Sequence, residues 1–364
     1  MGEANVKPRR GCRWWLAKGG VGVLGVLVLL LVVVYVYASV KDTLAYTTEL
    51  PDDSLLVDVG GRDIHVHALG LEHDGPAVVL LFGASYGVTV DSGWWGGVQP
   101  ELAKKMRVYA VDRAGSAWSD LNPDGLSYIN AADDLHAVLT ALGEEEVILV
   151  GYATASNTTI VYHHRYPTDP RLRGIIWLDA DVLHPEIIDW YKGGDDPSPQ
   201  VLHALVDVGV GRLFYEWGFP VQRERWAMEE KLSERARAMF DWDYYNRVAA
   251  MRGTRRVLHA MVDCSLAYDA DLDYAASLPL PTDIPLFVIQ TDMLRFQSEG
   301  DPERAEVNAR RGPYMTEWYR AAAENAPGGR YIHIADSEHF AMLDQPDALI
   351  DAIESMVDLV ASQD

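Results

Sequence analysis

The stretch "VILVGYATAS", Val147 to Ser156, decides the fold. Four apolar residues that favour β-strands lead into Gly151, small residues follow, and the next segment, "TTIVYHHRYP", has a helical pattern. The stretch therefore predicts a strand, a sharp turn and a helix. In enzymes such a turn commonly reads G-x-S-x-G, with a nucleophilic serine at its centre. Here the centre is Ala153, whose methyl group cannot act as a nucleophile.

Strand-like and helical segments alternate along most of the chain. Two strand-like runs joined by Gly60 and Gly61 predict a hairpin, and "NAADDLHAVLTALG" predicts a helix that Gly143 terminates. Other apolar runs are continuous, which is typical of strands covered on both faces; they are "PAVVLLFG", "MRVYAVD", "EVILVG", "LRGIIWLDA", "IPLFVIQT" and "RYIHIAD". The sequence therefore predicts an α/β fold with a mostly parallel central sheet and helices on both faces.

One interval interrupts this alternation. Residues 182–280 separate two predicted strands by far more than a simple crossover requires, and they carry many Trp and Tyr residues at helical spacing. We expect a helical cap over 182–280, inserted into a core formed by residues 54–181 and 281–364.

The N-terminal region predicts a membrane anchor. Residues 19–40 contain no charge and match the roughly 20 apolar residues of a transmembrane helix. A cleaved signal peptide is the alternative, although its apolar region is usually shorter. Residues 1–18 carry five basic side chains and one acidic one, which predicts a cytoplasmic tail and a C-terminal domain outside the cytoplasm. Residues 41–53 are expected to form a short tether.

Charge and cysteine content narrow the functional classes. The 364-residue chain has a formal charge of −23 despite its basic tail, and a surface this acidic repels nucleic-acid phosphates. Cys12 and Cys264 lie on opposite sides of the predicted span, which excludes a disulfide between them. His65 and His67 share one face of a strand, but no third ligand is evident, so we expect neither a metal nor a cofactor.

With these elements in place, residues 54–362 resemble the α/β-hydrolase superfamily. "VVLLFGASYG" is similar to its strand and oxyanion loop, with Phe82 where His is frequent. "VYAVDRAGSAWSD" is similar to its D-R-x-G-x-G-x-S-D loop, with Ala117 in place of the later Gly. "SEHFAMLDQPDALIDAI" matches the segment that carries the catalytic histidine, which is His339 here.

The resemblance implies a role for each site residue. His339 is the base, and the backbone N–H groups of Ala84 and Thr154 form the oxyanion hole. Most relatives place the acid where this chain has Leu294, which cannot orient a histidine. Asp179, at the end of the preceding strand, is our preferred acid. Asp292 is the alternative.

These residues are compatible with two functions. The first is a membrane-anchored protein of hydrolase ancestry that acted on an ester, thioester or amide of a small hydrophobic or acyl-containing substrate. In that case Ala153 replaces the nucleophilic serine, either by engineering or naturally. The second is a pseudoenzyme that binds a hydrophobic ligand or a protein partner in the same cap-covered pocket.

Overall fold

The computed structural model describes residues 11–83, 90–168, 171–192 and 198–363. Eight described strands form one sheet in the order β1-β2-β4-β3-β5-β6-β7-β8. Their bounds are β1 Ser54–Asp58, β2 Asp63–Leu69, β3 Ala77–Phe82, β4 Val108–Val111, β5 Glu146–Tyr152, β6 Arg171–Leu178, β7 Leu286–Thr291 and β8 Arg330–Ile334.

The strand directions confirm the predicted sheet. β1 and β2 form the antiparallel hairpin, in which Gly60 and Gly61 take positive φ angles of 97° and 90°. β2 also pairs antiparallel with β4, and every other neighbouring pair is parallel. The carboxyl ends of the six parallel strands therefore meet at one edge, where ligands bind in folds of this kind.

Helices cover both faces of the sheet, as predicted. Alternate side chains of β3 enter two separate apolar cores, Val79 in one and Val78 and Leu80 in the other. The described α-helices are α1 Gly11–Tyr46, α2 Gln99–Leu102, α3 Tyr128–Leu142, α4 Ala155–Arg165, α5 Pro185–Tyr191, α6 Pro199–Asp207, α7 Val210–Trp217, α8 Phe219–Trp226, α9 Glu234–Met239, α10 Trp242–Met251, α11 Arg255–Ser277, α12 Met293–Ser298, α13 Pro302–Glu324, α14 Ala341–Asp344 and α15 Pro346–Ala361. α3, α4 and α13 pack on one face, and α2 and α15 on the other.

The long interval between β6 and β7 is helical. It contains α5 to α11 and a π-helical turn over Ala227–Lys231. Several of its side chains contact loops at the carboxyl edge of the sheet, and these contacts include Tyr244 with Ser92, Arg252 with Asp91, and Lys231 with Glu338. The insertion therefore lies over the edge to which the parallel strands point.

The N-terminal helix is longer than the sequence predicts. α1 contains one segment, Gly20–Tyr46, that is long and apolar enough to cross a membrane or to act as a signal sequence. The helix continues beyond residue 40 to Tyr46, so the first part of the expected tether at 41–53 is helical instead. Asp42 and Ala45 are buried there, because this end of α1 packs against the insertion. Contacts with residues distant in sequence thus extend the helix into a polar segment.

Candidate active site

A strained turn joins β5 to α4. β5 ends at Tyr152 and α4 begins at Ala155, and between them Ala153 has a φ angle of 50°. A positive φ is uncommon for a residue with a Cβ atom and requires support from the surrounding structure. Here the Ala153 N–H donates to the Leu178 carbonyl at 2.9 Å, and the Ala153 carbonyl accepts from the Ser156 N–H at 3.0 Å and its hydroxyl at 2.7 Å.

Two glycines allow the turn to fit closely against its surroundings. A Cβ atom built at Gly151 would lie 2.9 Å from the backbone nitrogen of Ser156. A Cβ atom built at Gly83 would lie 1.8 Å from the hydroxyl of Thr154. Thr154 is buried at the start of α4, beside the end of β3. The other expected oxyanion donor, Ala84, lies outside the described residues.

His339 lies next to Asp179. The Nδ1 atom of His339 is 3.1 Å from Oδ2 of Asp179. The Asp179 carboxylate is buried and also accepts hydrogen bonds from the backbone N–H of Thr291 at 2.8 Å and from its hydroxyl at 2.5 Å. Asp179 follows β6 and Thr291 ends β7, so two adjacent strands fix the position of this carboxylate.

Asp292 has different partners. Its carboxylate contacts Nε2 of His333 at 2.8 Å and the Arg295 guanidinium at 3.2 Å, and it accepts from the Asp336 N–H at 2.9 Å. Burial opposes ionisation, but these partners outweigh it and lower the pKa of Asp292 below its ordinary value. The structure therefore brings Asp179 to His339, whereas Asp292 contacts residues of α12, of β8 and of the segment that follows β8.

The loop that carries His339 is bonded both to α14 and to the insertion. The Asp344 carboxylate accepts from the Ser337 hydroxyl and from the Glu338 N–H, each at 2.7 Å. Burial raises the pKa of Asp344 to about 7, although Ser337 and Lys231 oppose that shift. Lys231 of the insertion also pairs with Glu338. The histidine is thus held by a short loop with fixed neighbours on both sides.

A cluster of aromatic rings lies next to the His339 imidazole. The ring of Tyr152 lies 4.8 Å from that of His339 and 5.1 Å from that of Phe82. Phe82 also packs at 4.8 Å against Trp95. The residue that departs from the usual His of the superfamily therefore belongs to an apolar wall beside the turn.

A second carboxyl group, Asp181, was not recognised in the sequence. Its Oδ2 atom accepts from the Tyr268 hydroxyl at 2.9 Å and lies 3.4 Å from the Asn157 amide nitrogen. Burial raises the pKa of Asp181 to about 6, while the Tyr268 hydrogen bond and the charge of His339 oppose the shift. The only signal was its position two residues after Asp179, because Tyr268 comes from α11, far along the chain.

The two histidines of β2 are placed in separate buried contacts. Nδ1 of His65 lies 2.6 Å from Oδ2 of Asp112, and Nδ1 of His67 lies 2.9 Å from Oε1 of Gln99. Each imidazole thus has its own protein partner within the core.

The chain matches a known family. A model of the alpha/beta hydrolase family covers residues 78–352, and the chain belongs to that family. A bromoperoxidase from Bacillus anthracis has a similar structure, with a TM-score of 0.54, 17% identity, and coverage of 84% of this chain and 99% of that one. A thermophilic esterase from Thermogutta terrifontis gives a TM-score of 0.53 at 19% identity, covering 84% and 98%. At these identities the likeness shows the fold alone.

Similarity to curated sequences is confined to shorter segments. A bifunctional esterase/perhydrolase of Acinetobacter calcoaceticus is 35% identical over 75 residues, which are 21% of this chain and 27% of that protein. An uncharacterised protein of Mycobacterium tuberculosis H37Rv is 27% identical over 108 residues, which are 29% of this chain and 30% of that protein. The matched part is less than a third of the length of either relative.

Proposed function

We propose that this chain is a membrane-anchored member of the alpha/beta hydrolase family whose site is built for serine-type hydrolysis, with Ala153 at the position of the nucleophile. One arrangement carries the proposal: a non-glycine residue at φ 50° on the strand-to-helix turn, together with a histidine 3.1 Å from a buried carboxylate. Such a strained turn presents its central side chain for reaction in enzymes of this fold. The bond broken in the ancestral reaction is that of an ester, a thioester or an amide.

The other residues support the roles that this chemistry needs. His339 accepts the nucleophile's proton, and Asp179 holds its imidazole in one tautomer and stabilises the imidazolium that forms. The Thr154 N–H, at the positive end of α4, is proposed to stabilise the developing oxyanion, and the resemblance assigns the second donor to Ala84, which lies outside the described residues. Ala153 contributes no proton and no nucleophile, so this chain does not form an acyl-enzyme at this position.

The substrate is proposed to be small and hydrophobic or acyl-containing. The helical insertion serves as a cap over the carboxyl edge of the sheet, and the turn is flanked by the rings of Phe82, Tyr152 and Phe340. Apolar walls with a few convergent polar groups are typical of small-molecule sites. A pseudoenzyme that binds such a ligand without converting it uses the same pocket.

The cellular arrangement follows from α1. We place the segment from Gly20 onward in a cell membrane as a single span, with the basic tail at 1–18 in the cytoplasm and the hydrolase domain on the other side. Side chains from Gly20 to Val33 are exposed in the isolated chain, which suits a lipid environment rather than a protein core.

The substitution Ala153→Ser tests the proposal. Ala153 already holds its Cβ at a positive φ, so serine adds one oxygen without new backbone strain. Loss of the nucleophile from the serine–histidine–acid unit of subtilisin costs about 10⁶ in kcat, and a misalignment of 1 Å costs about 10², so we expect a gain of about 10⁴-fold. The full-length variant and parent are assayed in detergent against p-nitrophenyl esters of increasing chain length.

The matched control is the double variant Ala153→Ser/His339→Gln, in which the new hydroxyl lacks its base. Hydrolysis by the single variant but not by the double variant supports the proposal. If the single variant is as inert as the parent while both bind the same alkyl ester equally well, the binding-protein alternative replaces the hydrolase function.

A further inference from the structure

The C-terminal part of α1 packs against α7 and α10 of the helical insertion. Gly209, which precedes α7, lies so close to α1 that a Cβ atom there would be 2.7 Å from the Cβ of Ala38. At the other end of α7, Glu216 accepts from the Tyr37 hydroxyl and lies 3.5 Å from the Lys41 ammonium group. α7 therefore contacts α1 near both of its ends.

Arg255, the first residue of α11, strengthens this junction. Its guanidinium donates to Asp42 at 2.7 Å, to the Ser39 hydroxyl at 3.2 Å and to the Tyr35 carbonyl at 3.3 Å. Asp42 is largely buried, so this ion pair is shielded from water. The insertion and the end of α1 are thus joined by packing, hydrogen bonds and ion pairs.

The contacts also define how α7 is oriented. From Gly209 to Glu216 the chain advances about 10 Å along α7. A Cβ atom at Gly209 would approach Ala38 and, at 3.0 Å, the Val34 carbonyl oxygen, whereas Glu216 contacts Tyr37 and Lys41. The two ends of α7 therefore meet α1 only about three residues, or about 4.5 Å, apart along its axis. α7 therefore crosses α1 at a steep angle, at the C-terminal end of the apolar segment. If α1 runs across a bilayer, α7 lies along the bilayer surface.

The outer face of α7 is apolar and exposed. Trp217 is 73% exposed and Phe214 is 65% exposed, more than any other large apolar side chain described outside α1. Three residues apart, they share one side of the helix, whereas Arg212 and Tyr215 are buried on the other. Tyr35 of α1, at the same level, is also half exposed. Tryptophan and tyrosine are enriched at the interface between lipid and water.

We propose that Phe214 and Trp217 insert into the interfacial region of the membrane that α1 crosses, so that the cap rests on the bilayer. This inference rests on the proposed anchoring by α1. It commits to lipid as the occupant because α7, which carries the exposed face, adjoins α1 at Val34, where the exposed apolar segment from Gly20 to Val33 ends. A second copy of the chain is the competing occupant.

The test measures how deep in the bilayer a single fluorescent label lies, with one label at a time in the full-length chain. Cys12→Ser and Cys264→Ala remove the native thiols, and the environment-sensitive fluorophore NBD is attached to Trp217→Cys, to the control Leu71→Cys, or to the anchor reporter Leu29→Cys. Leu71 is 54% exposed and precedes β3, at the sheet edge opposite the insertion. The proteins are reconstituted in phosphatidylcholine vesicles that contain lipids brominated near the headgroup or deep in the acyl chain.

We expect shallow-brominated lipid to quench the label at position 217 several-fold more than the label at 71, and deep-brominated lipid to quench the label at 29. Quenching at 29 with an aqueous signal at 217 overturns the surface proposal and leaves the anchor intact. If the labels at 29 and at 217 both give the signal of an aqueous environment, the membrane anchor and the surface proposal are both overturned. A label at 217 that is shielded from water but not quenched by either lipid shows a protein partner there and also overturns the proposal. Equal thermal midpoints of the labelled variants verify that each is folded.

Discussion

Ala153 and Asp179 share an uncommon backbone conformation, with φ angles of 50° and 46°. A residue with a Cβ atom in the left-handed region costs on the order of 1–2 kcal/mol relative to the right-handed one. Hydrogen bonds to neighbouring strands hold both residues: Ala153 donates to Leu178, and Asp179 donates to Ile289. The chain thus keeps a strained backbone at both positions, even though one of the two side chains is only a methyl group.

The assignment of the acid to Asp179 rather than to Asp292 gives a testable prediction. In the Ala153→Ser background, Asp179→Asn should lower kcat by about 10²–10⁴-fold, because an amide beside Nδ1 no longer holds the imidazole in the required tautomer. Asp292→Asn is the matched control, since Asp292 contacts His333 rather than His339. Steady-state kinetics and thermal midpoints of both variants are the measurements. A large loss with Asp292→Asn and none with Asp179→Asn would assign the acid to Asp292.

Asp181 gives a pH-dependent prediction. Burial raises its pKa from 3.8 to about 6, so the folded state binds this proton more tightly than the unfolded state does. Its ionisation therefore disfavours folding progressively from about pH 4 to about pH 6, and the cost remains at higher pH. Asp181→Asn cannot ionise and can still accept from Tyr268. We expect it to be more stable than the parent at pH 7, by on the order of 1–2 kcal/mol after a discount for partial exposure, and to lose this advantage near pH 4.

Thermal midpoints in detergent at pH 4, 5.5 and 7 measure the effect, with Asp189→Asn on the exposed side of α5 as the control. A difference that does not change with pH, or a variant less stable than the parent at pH 7, contradicts the assigned shift.

At the scale of elements, local patterns predicted most strands and helices. Continuous apolar runs indicated the buried strands because both faces of a parallel sheet are covered. Gly143, at φ 74°, ends α3 as expected, since its N–H bonds back to Leu139 and Thr140. These features depend on neighbours in sequence, so a single sequence contains them.

Elements that depend on distant contacts could not be predicted in this way. The segment after residue 40 is polar, and it is helical because Asp42 meets Arg255, more than two hundred residues away. The hydrogen bond of Asp181 could not be predicted either, because its partner, the Tyr268 hydroxyl, belongs to α11, far along the chain. Only the folded chain shows that these side chains meet.

For the whole molecule, charge asymmetry predicts its orientation. Five basic residues and one acid precede the apolar segment, and the domain after it is strongly acidic. Because basic flanks remain in the cytoplasm, protease added to intact cells should release a large C-terminal fragment. Permeabilised cells serve as the control. Complete protection of the domain in intact cells, with digestion after permeabilisation, would reverse the proposed orientation.

Ala153 is proposed to occupy the nucleophile position of an otherwise assembled hydrolase site. Covalent capture tests this proposal most directly: the parent, Ala153→Ser and Ala153→Ser/His339→Gln are exposed to a fluorophosphonate, and intact mass and peptide mapping are recorded. We expect one adduct on the residue introduced at 153, formed quickly with His339 present and slowly or not at all without it. No adduct at that position in a folded Ala153→Ser protein, or labelling that is indifferent to His339, would contradict the proposal.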